Sequence, residues 1–499
     1  MRNLTRLIKL SILLLIPFSF ADAQEAAPQK KEGDLRFEPF ETKVDGQSYN
    51  GELGRLVVRE NRGNPKSNLI ELAFVRLKST AEKPGLPVVY LDGGPGSSAI
   101  NLARVPAYMR AFQKLREVGD VILLDQRGVG RSKPNLVWVV PESLPLDVFA
   151  DKQVALHAFQ ERARKAVNHF RSQGVDILAY NNIESAHDVD DLRKALKADK
   201  LNLVGFSYGT HLGLACIRYH GAHLNRVVLI GTEGPDHTEK LPGTSDVSLR
   251  RLAEVAARAP ELEGKVPDLV SMLKRTLDRF EKEPVVVRIT DGRGRKPVDV
   301  KVGKFGLQHL IFRDLGDTND LPIFPAWFYT MDKGDYSILS RFVERRYNQY
   351  GSGLSVMTLV MDTSSGASIA RRQQIEREAK SALLGDAMNF PILNLASVID
   401  NLDLGDKYRL PIRTTVPTLF ISGDFDNQTP PFQAEEVRRF FKSSTHIIVK
   451  NAGHESMLTE SPVQQAMVDY LRGQDVSGVA VSLPPLKFIA IPEEKKPPQ

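Results

Sequence analysis

The stretch LNLVGFSYGTHLG, residues 201–213, decides the fold because it joins a buried apolar run to a helix through a single serine. Ser207 stands between Gly205 and Gly209, and glycines there let the chain turn sharply from strand to helix with the serine at the apex. A larger residue at either glycine would collide with the neighbouring strand or helix. The pattern alone is weak, since Ser207 could be only a small residue in a tight turn. Its place between strand and helix favours a nucleophile.

Short apolar strands alternate with amphipathic helices on both sides of this turn. The strands read VVYL, VILLD, LNLV, VVLI, TLFI and HIIV, and helices are predicted over 147–174 and 187–200. Such alternation indicates a mostly parallel sheet with helices on both faces. Residues 37–77 read instead as strands separated by turns at Asp45-Gly46 and Asn64-Pro65.

The interval 236–410 breaks the alternation, because it is mostly helical with one predicted hairpin at VVVRITDGRGRKPVDVKV, residues 285–302. It reads as a large inserted cap domain. The predicted organisation is a signal peptide (1–23), a first core part (24–235), the cap (236–410), a second core part (411–474) and a C-terminal tail (475–499). The last eight residues, PEEKKPPQ, are predicted to be disordered.

The N-terminus has the order of a secretory signal peptide. Basic Arg2, Arg6 and Lys9 precede the apolar run LSILLLIPFSF, and ADA precedes Gln24. The apolar run is too short to span a bilayer, and a buried N-terminal helix is the alternative reading. No cysteine sits at the predicted cleavage point, so a lipid-anchored form is not expected. These features predict export to a periplasm or the outside, without stable membrane insertion after cleavage.

Composition narrows the function classes. The chain has 499 residues, of which 42% are hydrophobic and 26% charged, as expected of a globular protein with a large core. A net charge of +6 without a dense basic stripe argues against nucleic-acid binding. Cys216 is the only cysteine, so no intramolecular disulfide can form, and its apolar helix predicts a core position. The sequence shows no metal or cofactor motif, and we expect none.

A serine nucleophile needs a base to take its proton and an acid to hold that base. His454 ends a strand in a glycine turn, NAGHESM, and is the predicted base. The acid is Asp424 or Asp426 in SGDFDNQTPP, after the strand PTLFI. We favour Asp426, because three residues beyond Gly423 it should reach the loop crest. The order serine, acid, histidine is typical of α/β hydrolases.

The developing oxyanion also needs two N–H donors. One is expected from Tyr208, which follows the nucleophile, and the other from the loop DGGPG, residues 92–96. Gly94 is the first choice for this second donor and Gly93 the next. Any one of these glycines could serve only a tight turn, but the run in this place favours the donor role.

Together these motifs resemble the prolyl aminopeptidase and tripeptidyl aminopeptidase family of serine exopeptidases in the α/β-hydrolase superfamily. The resemblance spans about 37–473 and rests on LDGGPGSS (91–98), LLDQRGVGRS (123–132), SAHDVDDLRKAL (185–196), GFSYGT (205–210), GDFDNQTP (423–430) and AGHE (452–455). It implies an α/β-hydrolase fold with a cap over the site. The resemblance implies the same triad of Ser207, Asp426 and His454. It also implies oxyanion donors near Gly94 and Tyr208.

The resemblance also implies carboxylates that bind the free α-amino group of a peptide. Glu233, in GTEGPD at a strand end, could take that role or could bond only to local backbone. Asp92 and Tyr208 stand where prolyl aminopeptidases tend to have histidine and tryptophan, and both departures point to secreted tripeptidyl-type relatives. Asp125 and Arg127 of DQRG are expected to pair and hold their loop, without a catalytic role.

The sequence therefore predicts an exported, metal-independent serine hydrolase that removes amino acids or short peptides from free peptide N-termini. A carboxylesterase or lipid hydrolase with the same machinery is the main alternative, because fold does not fix substrate. A catalytically silent binding protein is a third reading, but such proteins usually lack a triad member. The expected partner is a peptide with a free N-terminus.

Overall fold

A computed structural model describes residues 30–140, 142–262 and 264–491. The predicted signal peptide and the predicted disordered residues 492–499 lie outside these ranges. The strands are β1 (Leu35–Val44), β2 (Gln47–Arg59), β3 (Leu69–Leu77), β4 (Val88–Leu91), β5 (Val121–Asp125), β6 (Val137–Trp138), β7 (Leu201–Phe206), β8 (Leu224–Ile230), β9 (Val285–Asp291), β10 (Lys296–Val302), β11 (Leu354–Ser355), β12 (Thr418–Gly423), β13 (Ser444–Lys450) and β14 (Val481–Ser482).

The main sheet has the order β1-β2-β3-β5-β4-β7-β8-β12-β13-β14 within the described residues. Strands β1, β2, β3 and β5 pair antiparallel in succession, and every further pair from β5 to β14 is parallel. In β4, β5 and β7 every residue is buried, as expected of parallel strands covered on both faces. The predicted fold class, an α/β-hydrolase fold, is confirmed.

Helices cover both faces of this sheet. They are α1 (Ala99–Leu102), α2 (Pro106–Leu115), α3 (Lys152–Ser172), α4 (Asn182–Ala195), α5 (Tyr208–His220), α6 (Gly243–Ala256), α7 (Leu269–Lys282), α8 (Lys304–Leu315), α9 (Phe324–Asp332), α10 (Ser337–Ser352), α11 (Val356–Ser365), α12 (Ile369–Ala379), α13 (Ile392–Leu395), α14 (Asp406–Arg409), α15 (Pro431–Arg438) and α16 (Ser461–Leu471). None of the helices in these ranges is long and apolar enough to cross a bilayer.

Side-chain capping explains where two predicted helices begin. Helix α3 starts at residue 152 rather than 147, because the Asp151 carboxylate accepts hydrogen bonds from the amides of Gln153 and Val154 in the first turn. Helix α4 starts at residue 182, earlier than predicted, because Asn181 caps it in the same way. Capping residues outside the apolar pattern therefore set both starts.

The sheet separates two buried apolar clusters. Alternate residues of β4 show the division, since Val88 and Tyr90 face one cluster and Val89 and Leu91 face the other. Helices α2 and α16 cover the first face. The second face is covered by α3, α4, α5 and most helices of the segment between β8 and β12. This segment therefore shares a continuous core with the sheet. Within the segment, the buried rings of Trp327 and Phe342 stack with their centroids 4.0 Å apart.

The segment between β8 and β12 matches the helical interval expected from the sequence. It holds α6 to α14, and the predicted hairpin is the antiparallel pair β9–β10. The limits 236–410 of a separate cap domain stay a prediction. Cys216 is buried in α5, as expected of a core cysteine.

The expected pairing of Asp125 with Arg127 is wrong. The fully buried Arg127 binds Asp188 of α4 through two hydrogen bonds of 2.7 Å, from Nε and Nη2. Asp125 instead accepts hydrogen bonds from Ser98 Oγ at 2.7 Å and from the amide of Arg131 at 2.8 Å. Both residues still hold loops, but an arginine side chain reaches past its neighbour to a carboxylate on another element.

Candidate active site

Ser207 occupies a strained turn between β7 and α5. Its φ of +53° and ψ of −127° are unusual for a residue other than glycine and are typical of a side chain held at the apex of a sharp turn. A Cβ atom at position 209 would lie 2.0 Å from the Leu91 carbonyl oxygen, and one at position 205 would lie 2.6 Å from the carbonyl oxygen of Gly209. Only glycine fits at either position, as the sequence predicts.

The three predicted triad residues come together at the carboxyl ends of β7, β12 and β13. His454 Nε2 lies 2.8 Å from Ser207 Oγ, and His454 Nδ1 lies 2.8 Å from Asp426 Oδ2. His454 and Asp426 are each about 2% exposed. The imidazole is also anchored through its backbone, because its amide donates to the Gly316 carbonyl at 2.7 Å. The arrangement forms one continuous hydrogen-bond chain.

The loop after β12 decides which aspartate meets the histidine. Asp426 accepts hydrogen bonds from the amides of Gln428 and Thr429, both at 2.8 Å, and from the Thr429 hydroxyl at 2.7 Å. Asp424 points elsewhere, to the amide of Asn451 at 2.8 Å and to the Arg251 guanidinium. The structure thus brings Asp426 to His454 and leaves Asp424 in a loop-holding position. Thr429, not singled out in the sequence, orients the carboxylate.

Burial and pairing act in opposite directions on this pair. Burial lowers the pKa of His454, but the charge and hydrogen bond of Asp426 outweigh burial, and the pKa stands above its usual value of 6.5. Burial also raises the pKa of Asp426, but His454 and Thr429 outweigh it, and that pKa stands below its usual value. Asp426 therefore stays ionised beside an imidazole of increased basicity.

Two amide groups lie free beside the serine. Within the described residues, neither the Tyr208 amide nor the Gly94 amide donates a hydrogen bond. A Cβ atom at position 93 would lie 2.8 Å from the Cβ of Ser207, so this loop can approach the serine only as glycine. Gly94 lines the same cavity as Ser207, so its amide stays a candidate oxyanion donor together with that of Tyr208.

Asp92 begins this loop and is buried. The Tyr90 hydroxyl donates to it at 2.7 Å. Burial raises its pKa to about 6, and the charge of Glu455 adds to that effect. A carboxyl group therefore stands behind the glycine loop, where the resembled prolyl enzymes tend to have histidine.

A small cavity opens in front of Ser207. Its volume is about 80 Å³. The core contributes Gly94, Pro95, Ser207, Gln428 and Thr429. The segment after β8 contributes the facing wall, with Glu233, Thr238, Glu239, Lys240, Phe312, Arg313, Asp362, Met388 and Asn389. The predicted catalytic residues thus lie in the core, whereas the wall that faces them comes from the segment after β8.

Glu233 lies in this cavity wall, as the sequence suggested it could. The Lys240 ammonium pairs with its carboxylate, and His211 Nδ1 lies 3.8 Å from Oε1. Burial raises the pKa of Glu233, but Lys240 and then His211 outweigh burial and lower it. The carboxylate is therefore ionised and already has one internal cation. Its own amide is held by the Thr210 hydroxyl at 2.8 Å.

Asp362 of α11 is the cavity residue that the sequence analysis missed. It is 6% exposed, and its carboxyl group has no hydrogen-bond or ion-pair partner among the described residues. Burial raises its pKa well above the usual range, and the negative charge of Glu233 raises it further. The surrounding sequence, VMTLVMDTSSG, gives no signal beyond one acid in an apolar helix.

Comparisons with known proteins agree with this fold. A family model described as alpha/beta hydrolase fold matches residues 87–268, and one described as TAP-like protein matches residues 406–477. The chain is an α/β hydrolase by fold. Within that class, the matches below fit the resemblance to the prolyl and tripeptidyl aminopeptidase family.

Several curated proteins are similar to parts or most of the chain. Serine protease Hip1 of Mycobacterium tuberculosis (strain ATCC 25618 / H37Rv) is 28% identical over 196 residues, covering 37% of this chain and 36% of that protein. Tripeptidyl aminopeptidase of Streptomyces lividans is 29% identical over 193 residues, with 37% and 36% covered. Putative hydrolase YuaR of Escherichia coli (strain K12) is 22% identical over 437 residues, 81% of each chain. The match to the first two spans just over a third of their length.

Proposed function

We propose that the protein is an exported serine hydrolase that releases amino acids or short peptides from free peptide N-termini. Ser207 is the nucleophile, His454 the general base and Asp426 the acid that orients the base. The hydrogen-bond chain from Ser207 through His454 to Asp426, with 2.8 Å at each step, carries this proposal. The names of the similar serine protease and tripeptidyl aminopeptidase support a peptide substrate.

In the proposed reaction the Ser207 hydroxyl attacks the scissile carbonyl carbon while His454 Nε2 accepts its proton. Asp426 holds the Nδ1–H of the imidazole and stabilises the imidazolium that forms. The carbonyl oxygen becomes an oxyanion that accepts hydrogen bonds from the amides of Gly94 and Tyr208. His454 then donates the proton to the leaving amine, and an acyl-enzyme on Ser207 remains for water to hydrolyse.

The cavity carboxylates support recognition of a free α-amino group. Glu233 and Asp362 face the same cavity as Ser207. Asp362 lacks a partner among the described residues, and an incoming ammonium would supply one and favour its ionised form. Glu233 already has Lys240, so it adds negative potential rather than an empty site. We assign Asp362 as the principal amine contact and Glu233 as its support.

The decisive experiment uses aminoacyl-, dipeptidyl- and tripeptidyl-arylamides, each with a free and an acetylated N-terminus. We expect hydrolysis of the free substrates, strong loss on acetylation, and the fastest rate at one length. Ser207→Ala should lower kcat by about 10⁴–10⁶-fold, because the nucleophile is absent.

Simple aryl esters in the same assay distinguish the proposed aminopeptidase from the alternative, an esterase or lipid hydrolase. Activity that survives acetylation, or efficient ester cleavage without any amide cleavage, would keep Ser207 as nucleophile and indicate an esterase or lipid hydrolase instead. Full activity of Ser207→Ala would overturn the serine mechanism itself.

A further inference from the structure

A cluster of histidines lies away from the active site, where the last turn of α5 meets α4. His220 ends α5, His223 follows in a short 3₁₀ turn, and Asp190 lies on α4. One ligand atom from each of the three residues lies within 4.8 Å of the others. Asp190 is almost fully buried, whereas the His223 side chain is 45% exposed. The cluster therefore opens to solvent on one side.

The distances to Asp190 are close to those between ligands of one metal ion. His223 Nδ1 lies 3.0 Å from Asp190 Oδ1, and His220 Nδ1 lies 3.7 Å from Asp190 Oδ2. Tetrahedral zinc with bonds near 2.0–2.1 Å places its ligand atoms roughly 3.3 Å apart. The two distances to Asp190, 3.0 and 3.7 Å, lie on either side of that value.

A third histidine orients the cluster. His187, one turn before Asp190 on α4, places its Nδ1 2.8 Å from Nε2 of His220. When His220 carries its proton on Nε2 and donates it to His187 Nδ1, its own Nδ1 is available to ligate an ion. The Nδ1 lone pair of His220 then faces the carboxylate of Asp190. In that tautomer, a cation between His220 Nδ1 and Asp190 would be bound by both groups.

Two side chains already neutralise Asp190. Arg193 Nε lies 2.8 Å from Oδ1, and Lys194 Nζ lies 2.9 Å from Oδ2. Lys194 occupies the oxygen that faces His220, but its side chain is 58% exposed and can swing into solvent. Arg193 can stay on Oδ1, because the other bond to this oxygen, from His223 Nδ1 at 3.0 Å, is released when that nitrogen gives up its proton to bind an ion. An ion would thus compete mainly with Lys194.

We propose that Asp190, His220 and His223 form a binding site for a divalent transition metal, with Zn²⁺ as the natural occupant. Two imidazoles and one carboxylate match the ligands that zinc takes, and the exposed side leaves its fourth position to water. His187 acts as the partner that fixes the tautomer of His220. The ion would join the end of α5 to α4, the opposite end of the helix from Ser207.

The test is titration of chelator-treated full-length protein with Zn²⁺ by isothermal calorimetry. Wild type should bind one equivalent saturably. His223→Gln should abolish that phase, and His187→Gln should weaken it by about 10–100-fold as expected for an orienting partner. Lys194→Ala should tighten binding several-fold, because it removes the competing ammonium from Asp190. His169→Gln, an exposed histidine on α3, is the matched control and should change nothing.

Thermal unfolding gives a second readout. Zn²⁺ in excess should raise the Tm of wild type by about 3–5 °C and leave that of His223→Gln unchanged. Because His223 is half exposed, this variant should fold, as far-UV circular dichroism without zinc would verify. The proposal is overturned if wild type shows no saturable phase. It is equally overturned if His223→Gln binds as His169→Gln does, or if Lys194→Ala binds more weakly than wild type.

Discussion

The loops at the strand ends and the segment between β8 and β12 contribute to one cavity in different ways. The strand-end loops hold Ser207, Asp426 and His454 through short, mutually oriented hydrogen bonds. The inserted segment contributes Lys240, paired with Glu233, and Asp362, whose carboxyl group has no partner in the described structure. In the proposed function, the groups that act on the scissile bond are preorganised within the protein, whereas the carboxyl group assigned to the substrate amine has no partner inside the protein.

Exchange of Asp426 for Asn is the strongest test of the preorganised triad residues. The variant keeps the shape of the loop but removes the charge that stabilises the imidazolium, and it favours the wrong tautomer of His454. We expect kcat to fall by about 10⁴-fold. The measurement is arylamide hydrolysis at saturating substrate.

Asp424→Asn supplies the matched control two residues away. Asp424 bonds to Arg251 and the amide of Asn451, so its loss should lower the Tm with less than about tenfold effect on kcat. Equal losses of kcat in the two variants would mean that the loop, rather than the Asp426 charge, matters for the reaction.

The same contrast explains what the sequence could predict. Ser207, Asp426, His454 and the glycine loop lie in local patterns of strand, turn and helix, whose steric demands can be read directly from neighbouring residues. Asp362 lies more than 150 residues from Ser207 along the chain, in an apolar helix, and only packing brings it to the cavity. The ion-pair partner of Arg127 was equally hard to predict from the sequence, because Asp188 lies on another element. The sheet follows from local periodicity, but the cavity wall depends on long-range contacts.

Asp362→Asn tests the cavity-wall carboxyl group that has no partner in the described structure. We expect KM for free-amine substrates to rise by about 10–100-fold, as for the loss of a charge-assisted hydrogen bond, with little change for acetylated or ester substrates. Steady-state kinetics on the paired substrates measure this ratio directly.

The Tm of the Asp362→Asn variant distinguishes a loss of substrate binding from a loss of folded structure. The pKa of Asp362 is raised in the folded protein, so ionisation favours the unfolded chain, and stability decreases as the pH rises above the usual carboxyl range. Removal of the acid should therefore leave the Tm at pH 8 equal or higher. Asp278→Asn, on the exposed side of α7, controls for charge and should alter neither quantity. A lower Tm together with reduced activity on every substrate would assign Asp362 a structural role.

The smallest difference is expected between the pH profiles of kcat/KM for the two substrate types. These profiles test His454 of the triad and Asp362 of the cavity wall together. Because His454 has a raised pKa and must be neutral to accept the Ser207 proton, kcat/KM should fall tenfold per pH unit below an apparent pKa above 6.5. Acetylated or ester substrates should show this single limb. Free-amine substrates need ionised Asp362 as well, so their profile should fall more steeply with acid. Identical profiles for both substrate types would separate Asp362 from amine binding, and a shared limb below 6.5 would mean that Asp426 does not raise the basicity of His454.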